Sequence, residues 1–290
     1  MGTERVFRHK KSLGQNFLAD ERVLEKIAER AAIRPSDVIL EIGPGKGVLT
    51  RKLLTSGCSF LHSVEIDRDL GPFLEDLENG EKNRFWLHWG DAMEMNFTGL
   101  SPAPSKVVAN IPYHITTHLI WKLLETVPSA DYLLLMVQKE AAARIGAPAG
   151  TKDRGPLGAT LEAMGSAKIL FTVPAGAFRP APAVDSCLFE IHLVKRRGLA
   201  RNSLWRDMLK YGFGRRRKKA LGNLAASLPR APWRELFVKN QIDENSRAEA
   251  LSSDEWLALM EGAEKSMASP PEPGEEATEK LKVQSIQPYP

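Results

Sequence analysis

The chain has 290 residues, 43% of them hydrophobic, which is core enough for one large or two modest domains. No apolar run approaches the roughly 20 residues that span a bilayer, and the basic N-terminus lacks the apolar segment of a signal peptide. Two cysteines, Cys58 and Cys187, argue against a disulfide framework or structural zinc site and for a reducing cytoplasm, while the net charge is only +4.

In chain order, Arg5, Arg8, Lys10 and Lys11 crowd the start, and Asp20 suits a helix N-cap. Residues 38–42 read as a strand, 47–56 as a helix, 60–66 as a second strand, 68–77 as a helix and 84–88 as a third strand region. A strand at 106–109, a helix at 115–125 and a buried strand at 132–137 follow. This alternation implies an α/β domain with a mostly parallel sheet and helices on both faces. Residues 167–173 and 184–194 read as two more strands, with the stiff segment Phe178-Arg179-Pro180-Ala181-Pro182 between them. From about residue 199 strand signals stop, and basic amphipathic helices follow at 203–211, 217–226 and 253–261. The expected division is a catalytic domain over 1–194, a helical basic domain over 195–265, and a disordered tail over 266–290, rich in Pro, Glu, Ser and Gln.

Between Lys195 and Lys219, eleven cations stand against one acid, Asp207. Two basic blocks on a mildly basic chain are the footprint of polyanion binding.

In parallel sheets ligands sit at the carboxyl ends of the strands. The turn Glu41-Ile42-Gly43-Pro44-Gly45-Lys46-Gly47 follows the first strand, and its glycines let the backbone turn sharply and approach a ligand. The spacing is neither the dinucleotide fingerprint nor a phosphate loop. Glu65 ends the second strand, where a carboxylate accepts from two ribose hydroxyls. Asp91 follows the third and can accept from an adenine amine. Asn110-Ile111-Pro112-Tyr113 follows the strand at 106–109. Its amide oxygen and a backbone carbonyl beside the proline can accept the two hydrogens of an exocyclic amine, and the tyrosine ring can cover the base. An NAD-type ligand accounts for the first two features and leaves the tetrapeptide unexplained. S-adenosylmethionine supplies both an adenosine and an electrophilic methyl for an amine.

With these residues the chain resembles the ribosomal RNA small-subunit adenine dimethyltransferase family, in its bacterial branch. The resemblance spans about Lys10 to Leu259. It rests on Ser12-Leu13-Gly14-Gln15-Asn16-Phe17-Leu18, Glu41 to Gly47, Val64-Glu65-Ile66-Asp67, Gly90-Asp91-Ala92, Asn110 to Tyr113, Phe178 to Ser186 and Arg215 to Lys219. It implies a Rossmann-like S-adenosylmethionine-dependent methyltransferase domain with a small all-helical C-terminal domain. It also implies that Asn16, Leu18, Gly43, Glu65, Asp91 and Asn110 line the cofactor pocket, with Asn16 and Leu18 closing over the methionine end from the N-terminal arm. The implied activity is methylation of N6 on two adjacent adenines near the 3′ end of 16S ribosomal RNA, with a role in small-subunit biogenesis. The implied partner is small-subunit RNA or a pre-30S particle. A cytoplasmic monomer without metal or membrane is the corresponding expectation.

Two alternatives stay open. Large-subunit methyltransferases of the antibiotic-resistance type share the fold and usually carry Asn-Ile-Pro-Tyr, as here, whereas small-subunit enzymes more often have Leu at the second place. Val184-Asp185-Ser186 and the Arg215-to-Lys219 block favour the small-subunit family. An assembly factor that only binds immature subunits is the other alternative.

The catalytic expectation is Asn110, Pro112, Tyr113 and Phe178. The Asn110 side chain and the Pro112 carbonyl would hold the amine hydrogens and favour a pyramidal nitrogen, which is positioning rather than base catalysis. Tyr113 and Phe178 would hold the unstacked base from its two faces. Phosphate contacts are expected from Arg8, Lys10 and Lys11 in the arm and from Arg215, Arg216, Arg217 and Lys218 in the second block.

Overall fold

A computed structural model describes residues 9, 10, 13–215 and 217–268. The expectations for Arg8, Lys11, Arg216 and residues 269–290 lie outside them. The chain divides into two compact units, one ending at Arg206 and one beginning at Asp207. The division falls later than the one expected after residue 194. Leu199 and Ala200 in the short turn Leu199–Arg201 are buried, and Trp205 Nε1 donates to Thr160 Oγ1 at 3.0 Å, so this stretch belongs with the first unit.

The first unit carries the strands β1 (Phe17–Leu18), β2 (Val38–Ile42), β3 (Phe60–Glu65), β4 (Phe85–Trp89), β5 (Lys106–Asn110), β6 (Tyr132–Gln138), β7 (Gly165–Val173), β8 (Phe178–Arg179) and β9 (Ser186–Leu193). Its helices are α1 (Glu21–Ala31), α2 (Val48–Thr55), α3 (Gly71–Gly80), α4 (Thr116–Thr126), α5 (Lys139–Ile145) and α6 (Pro156–Met164). Seven strands form one sheet in the order β4-β3-β2-β5-β6-β9-β7. The first five run parallel; β9 is antiparallel to both β6 and β7. All five residues of β2 are buried, and so are six of the seven in β6. Such continuously buried strands form because both faces of the sheet are covered.

Helix α1 begins where its cap dictates. Asp20 accepts from the amides of Arg22 and Val23, and Leu24, Ile27 and Ala31 fall on one buried stripe. The chain runs from β2 outward to β3 and β4, then returns to place β5 on the other side of β2. Strand order therefore reverses between β2 and β5, and the crevice at their carboxyl ends is where such sheets bind ligands.

The segment expected as a stiff loop at 178–182 is partly a strand. Phe178 and Arg179 pair antiparallel with Leu18 and Phe17, so a two-stranded ribbon ties the N-terminal arm to this loop.

The second unit starts within α7 (Ser203–Gly212) and continues through α8 (Ala220–Ser227), α9 (Trp233–Lys239) and α10 (Ser253–Ala268). A Cβ at Gly212 would stand 2.4 Å from the Trp256 ring, and one at Gly262 would stand 2.5 Å from Leu236, so small residues allow these helices to approach. Ser252 and Glu255 close a reciprocal capping box at the start of α10. That helix extends through residues 266–268, the first of the expected tail. No described helix is long and apolar enough to cross a membrane.

Candidate active site

A cavity of about 230 Å³ opens at the carboxyl ends of the parallel strands. Gly43 reaches it from β2, Glu65 from β3, Asp91 from just beyond β4, Asn110 from β5, and Asn16 from the arm. Five of the six residues expected to hold a cofactor therefore share one cavity. The sixth, Leu18, does not line it. Its side chain is packed into the core, against a neighbouring cavity of about 380 Å³. Leu18 is a wall behind the site rather than a cover over it.

The turn after β2 has Gly43, Gly45 and Gly47 in the left-handed region, at φ of +71°, +58° and +75°. Gly45 is doubly constrained: a Cβ there would stand 2.7 Å from the Phe17 ring. Its amide donates to Glu65 Oε2 at 3.1 Å, while Asp67 N donates to Oε1 at 2.8 Å. Two backbone donors thus fix the Glu65 carboxylate, and its remaining lone pairs can accept hydroxyls. Burial raises the Glu65 carboxyl above its ordinary value, and the two amides oppose that rise. Asp91 is exposed at the cavity mouth, with Oδ1 engaged by the amide of Met93 at 2.7 Å.

At the other end, Asn110 Nδ2 donates to the carbonyl of Asn16 at 3.1 Å. The amide oxygen is left as the acceptor. The Pro112 carbonyl, expected to be the second acceptor, is already engaged. It accepts from Ile115 N at 3.2 Å and Thr116 Oγ1 at 3.4 Å, closing the turn that opens α4. The Ile111 carbonyl accepts no hydrogen bond among the described residues. Residue types alone pointed to a carbonyl beside the proline; the geometry favours the one before it.

Tyr113 lines the cavity half-buried, and its hydroxyl meets Ser186 Oγ at 2.7 Å. Burial pushes that hydroxyl upward in pKa. Ser186, which anchors the ring from the start of β9, was visible only as the last letter of Val184-Asp185-Ser186. Phe178 is 1% exposed and belongs to the core cluster, yet it also forms part of the cavity wall.

Of the expected phosphate contacts, Arg215, Arg217 and Lys218 are exposed and pair with no carboxylate among the described residues. Lys10 is ion-paired instead. Its ammonium lies 2.5 Å from Asp67 Oδ1 and 2.7 Å from Asp69 Oδ2. Two carboxylates from the loop after β3 outcompete solvent for that compact charge. Among the described residues, no group of three or more His, Cys, Asp or Glu could hold a metal ion.

A sequence profile of the family described as "Ribosomal RNA adenine dimethylase" matches residues 6–265. The protein called Ribosomal RNA small subunit methyltransferase A in Thermosynechococcus vestitus is 38% identical, covering 88% of this chain and 97% of that one. Its counterpart in Alkaliphilus metalliredigens is 36% identical, over 87% of this chain and 91% of the other. Among solved structures, a dimethyladenosine transferase from Plasmodium falciparum superposes with a TM-score of 0.73 at 26% identity, covering 86% of this chain and 98% of that one. The 23S rRNA methyltransferase ErmE gives 0.63 at 25% identity, over 86% of this chain and the whole of the other.

Proposed function

The chain belongs to the ribosomal RNA adenine dimethylase family, and from that premise we propose that it transfers methyl groups from S-adenosylmethionine to N6 of two adjacent adenines near the 3′ end of 16S ribosomal RNA, as a step in small-subunit biogenesis. The observation that carries the reading is the pair of acceptors left open at the end of β5, the Asn110 amide oxygen and the Ile111 carbonyl. They stand beside a cavity whose opposite end holds a fixed carboxylate, Glu65.

The residues fit the donor. Gly43 and Gly45 keep the floor free of side chains, Glu65 presents lone pairs for a ribose, and Asp91 stands at the mouth for an adenine amine. S-adenosylmethionine supplies an electrophilic methyl on a sulfonium. The chain supplies geometry. An adenine amine is a poor nucleophile because its lone pair delocalises into the ring. Asn110 and Ile111 accept its two hydrogens, draw the nitrogen toward a pyramidal shape and aim the lone pair into the cavity. Tyr113, held by Ser186, covers one face of the base. Phe178, only 1% exposed, backs the cavity wall from the core rather than offering the base a second face. Stacking of about 1–3 kcal/mol per base offsets much of the unstacking. Arg215 and Arg217 contribute phosphate contacts that carry no sequence information.

Ile111 keeps a large-subunit target as the second reading, since Asn-Ile-Pro-Tyr is usual in that group. One assay separates the two. Labelled S-adenosylmethionine is supplied with under-methylated small subunits, naked small-subunit RNA, large-subunit RNA or DNA, and the modified base is identified. Dimethyladenosine in the small subunit is the expected product; label confined to large-subunit RNA or DNA would overturn the reading.

A further inference from the structure

Asp67 lies two residues beyond Glu65, and its side chain is fully buried. Its carboxylate gathers three donors. Lys10 Nζ reaches Oδ1 and Gln15 Nε2 reaches Oδ2, each at 2.5 Å, and the amide of Asp69 reaches Oδ1 at 3.1 Å. Lys10 N donates to Gln15 Oε1 at 2.8 Å, so Lys10, Gln15 and Asp67 close a ring. Residues 13–17 roof the cavity: Leu13, Gly14, Gln15, Asn16 and Phe17 all line it. At its far end the same segment is held by Asn110, through Asn16. The arm is therefore stapled at the Glu65 end of the cavity by Asp67 and at the acceptor end by Asn110.

The Asp67 backbone completes the link. Its amide donates to Glu65 Oε1, the carboxylate that faces the ribose position. One residue thus touches the donor's ligand through its main chain and the roof through its side chain. Dimethylating an adenine consumes two donors, so spent donor must leave and fresh donor enter beneath this roof. The latch closes with a single buried carboxylate, while the Lys10 side chain at its outer edge is 40% exposed and can release to solvent.

We infer that Asp67 is a positioning residue that latches the N-terminal arm over the donor cavity and thereby sets how tightly donor is retained. The inference rests on the methyltransferase reading above. Asp67→Asn is the informative change, because asparagine still caps the turn at Asp69 but loses the charge and presents a donor to Gln15. Lys10→Met with Gln15→Leu removes the same latch from the arm side without touching Asp67 or Glu65.

The test is calorimetric binding of S-adenosylmethionine and S-adenosylhomocysteine to the full chain, with melting temperature and trypsin cleavage after Lys10 followed in parallel. Each variant should weaken binding about tenfold, the scale of one charge-assisted hydrogen bond at a partly exposed pair. Combining them should cost no more than either alone, because both break one contact. Donor should slow cleavage after Lys10 in the wild type and not in Asp67→Asn, the variant that keeps this lysine. Unchanged affinity in Asp67→Asn, or losses that multiply on combination, would overturn the inference while leaving the methyltransferase reading intact. A wild-type chain that binds neither ligand would overturn that reading, and this inference with it.

Discussion

The side-chain nitrogen of Asn110 donates to the main-chain carbonyl of Asn16, at 3.1 Å. This bond decides the orientation of the amide. With the nitrogen committed to the arm, the oxygen becomes the acceptor, which is the polarity an amine substrate requires. Asn110→Ala removes acceptor and staple together. Turnover should fall by about 10²–10³-fold, the usual loss when one preorganised polar group leaves a reacting centre. Asn110 is half-buried at a strand end, so the melting temperature should hold. Near-normal turnover in the alanine variant would sink the assigned role.

The strand-end residues of this site were legible in the sequence because Gly43, Glu65, Asp91 and Asn110 each follow an apolar run, and apolar runs mark strands. Four other features were not. The ribbon of Phe17 and Leu18 with Phe178 and Arg179 has two residues per strand, too few for any periodicity, and its partners lie far apart in the chain. The engagement of the Pro112 carbonyl depends on the turn built by the residues after it, which residue types do not reveal. Lys10 counted as a cation for RNA because its carboxylate partners, Asp67 and Asp69, are remote in sequence. Helix α9 escaped for a simpler reason: seven residues make barely two turns.

Tyr113 separates two contributions that a single deletion would merge. The ring covers a base, and the hydroxyl bonds Ser186 Oγ at 2.7 Å. Tyr113→Phe keeps the ring and loses the tether, as Ser186→Ala does from the other side. Both should lower kcat/KM for RNA by less than about tenfold, within the net value of one neutral hydrogen bond. Tyr113→Ala also loses the stacking face, and its kcat/KM should fall by about 10–100-fold, matching 1–3 kcal/mol per base. Equal losses in Tyr113→Phe and Tyr113→Ala would show that the hydroxyl, not the ring, matters.

Arg215 and Arg217 are exposed and unpaired among the described residues, so their charge is available to phosphates. Changing both to alanine should weaken RNA binding and flatten its dependence on salt, by close to one unit of log–log slope per lost contact. Donor affinity should not move. A parallel fall in donor affinity would mean that these arginines hold the fold rather than the RNA.

Glu41 gives the fold an unusual response to pH. It is 1% exposed in β2, and Thr50 and Ser63 hydroxyls both donate to Oε2, at 2.9 and 2.6 Å. Oε1 is buried with no partner. Burial pushes the carboxyl from its ordinary 4.5 up to about 7. The folded chain then holds a proton that the unfolded chain has lost, so this group's contribution is best below pH 4.5 and declines as pH rises to about 7. The difference corresponds to about 3 kcal/mol once pH exceeds both values. Glu41→Gln keeps an acceptor for the two hydroxyls and never ionises. It should therefore raise the melting temperature at pH 8 by about 5 °C or more, with little change near pH 4.5. A melting scan from pH 4.5 to pH 8 checks both ends. A gain of equal size at both would trace the effect to packing rather than to the buried charge.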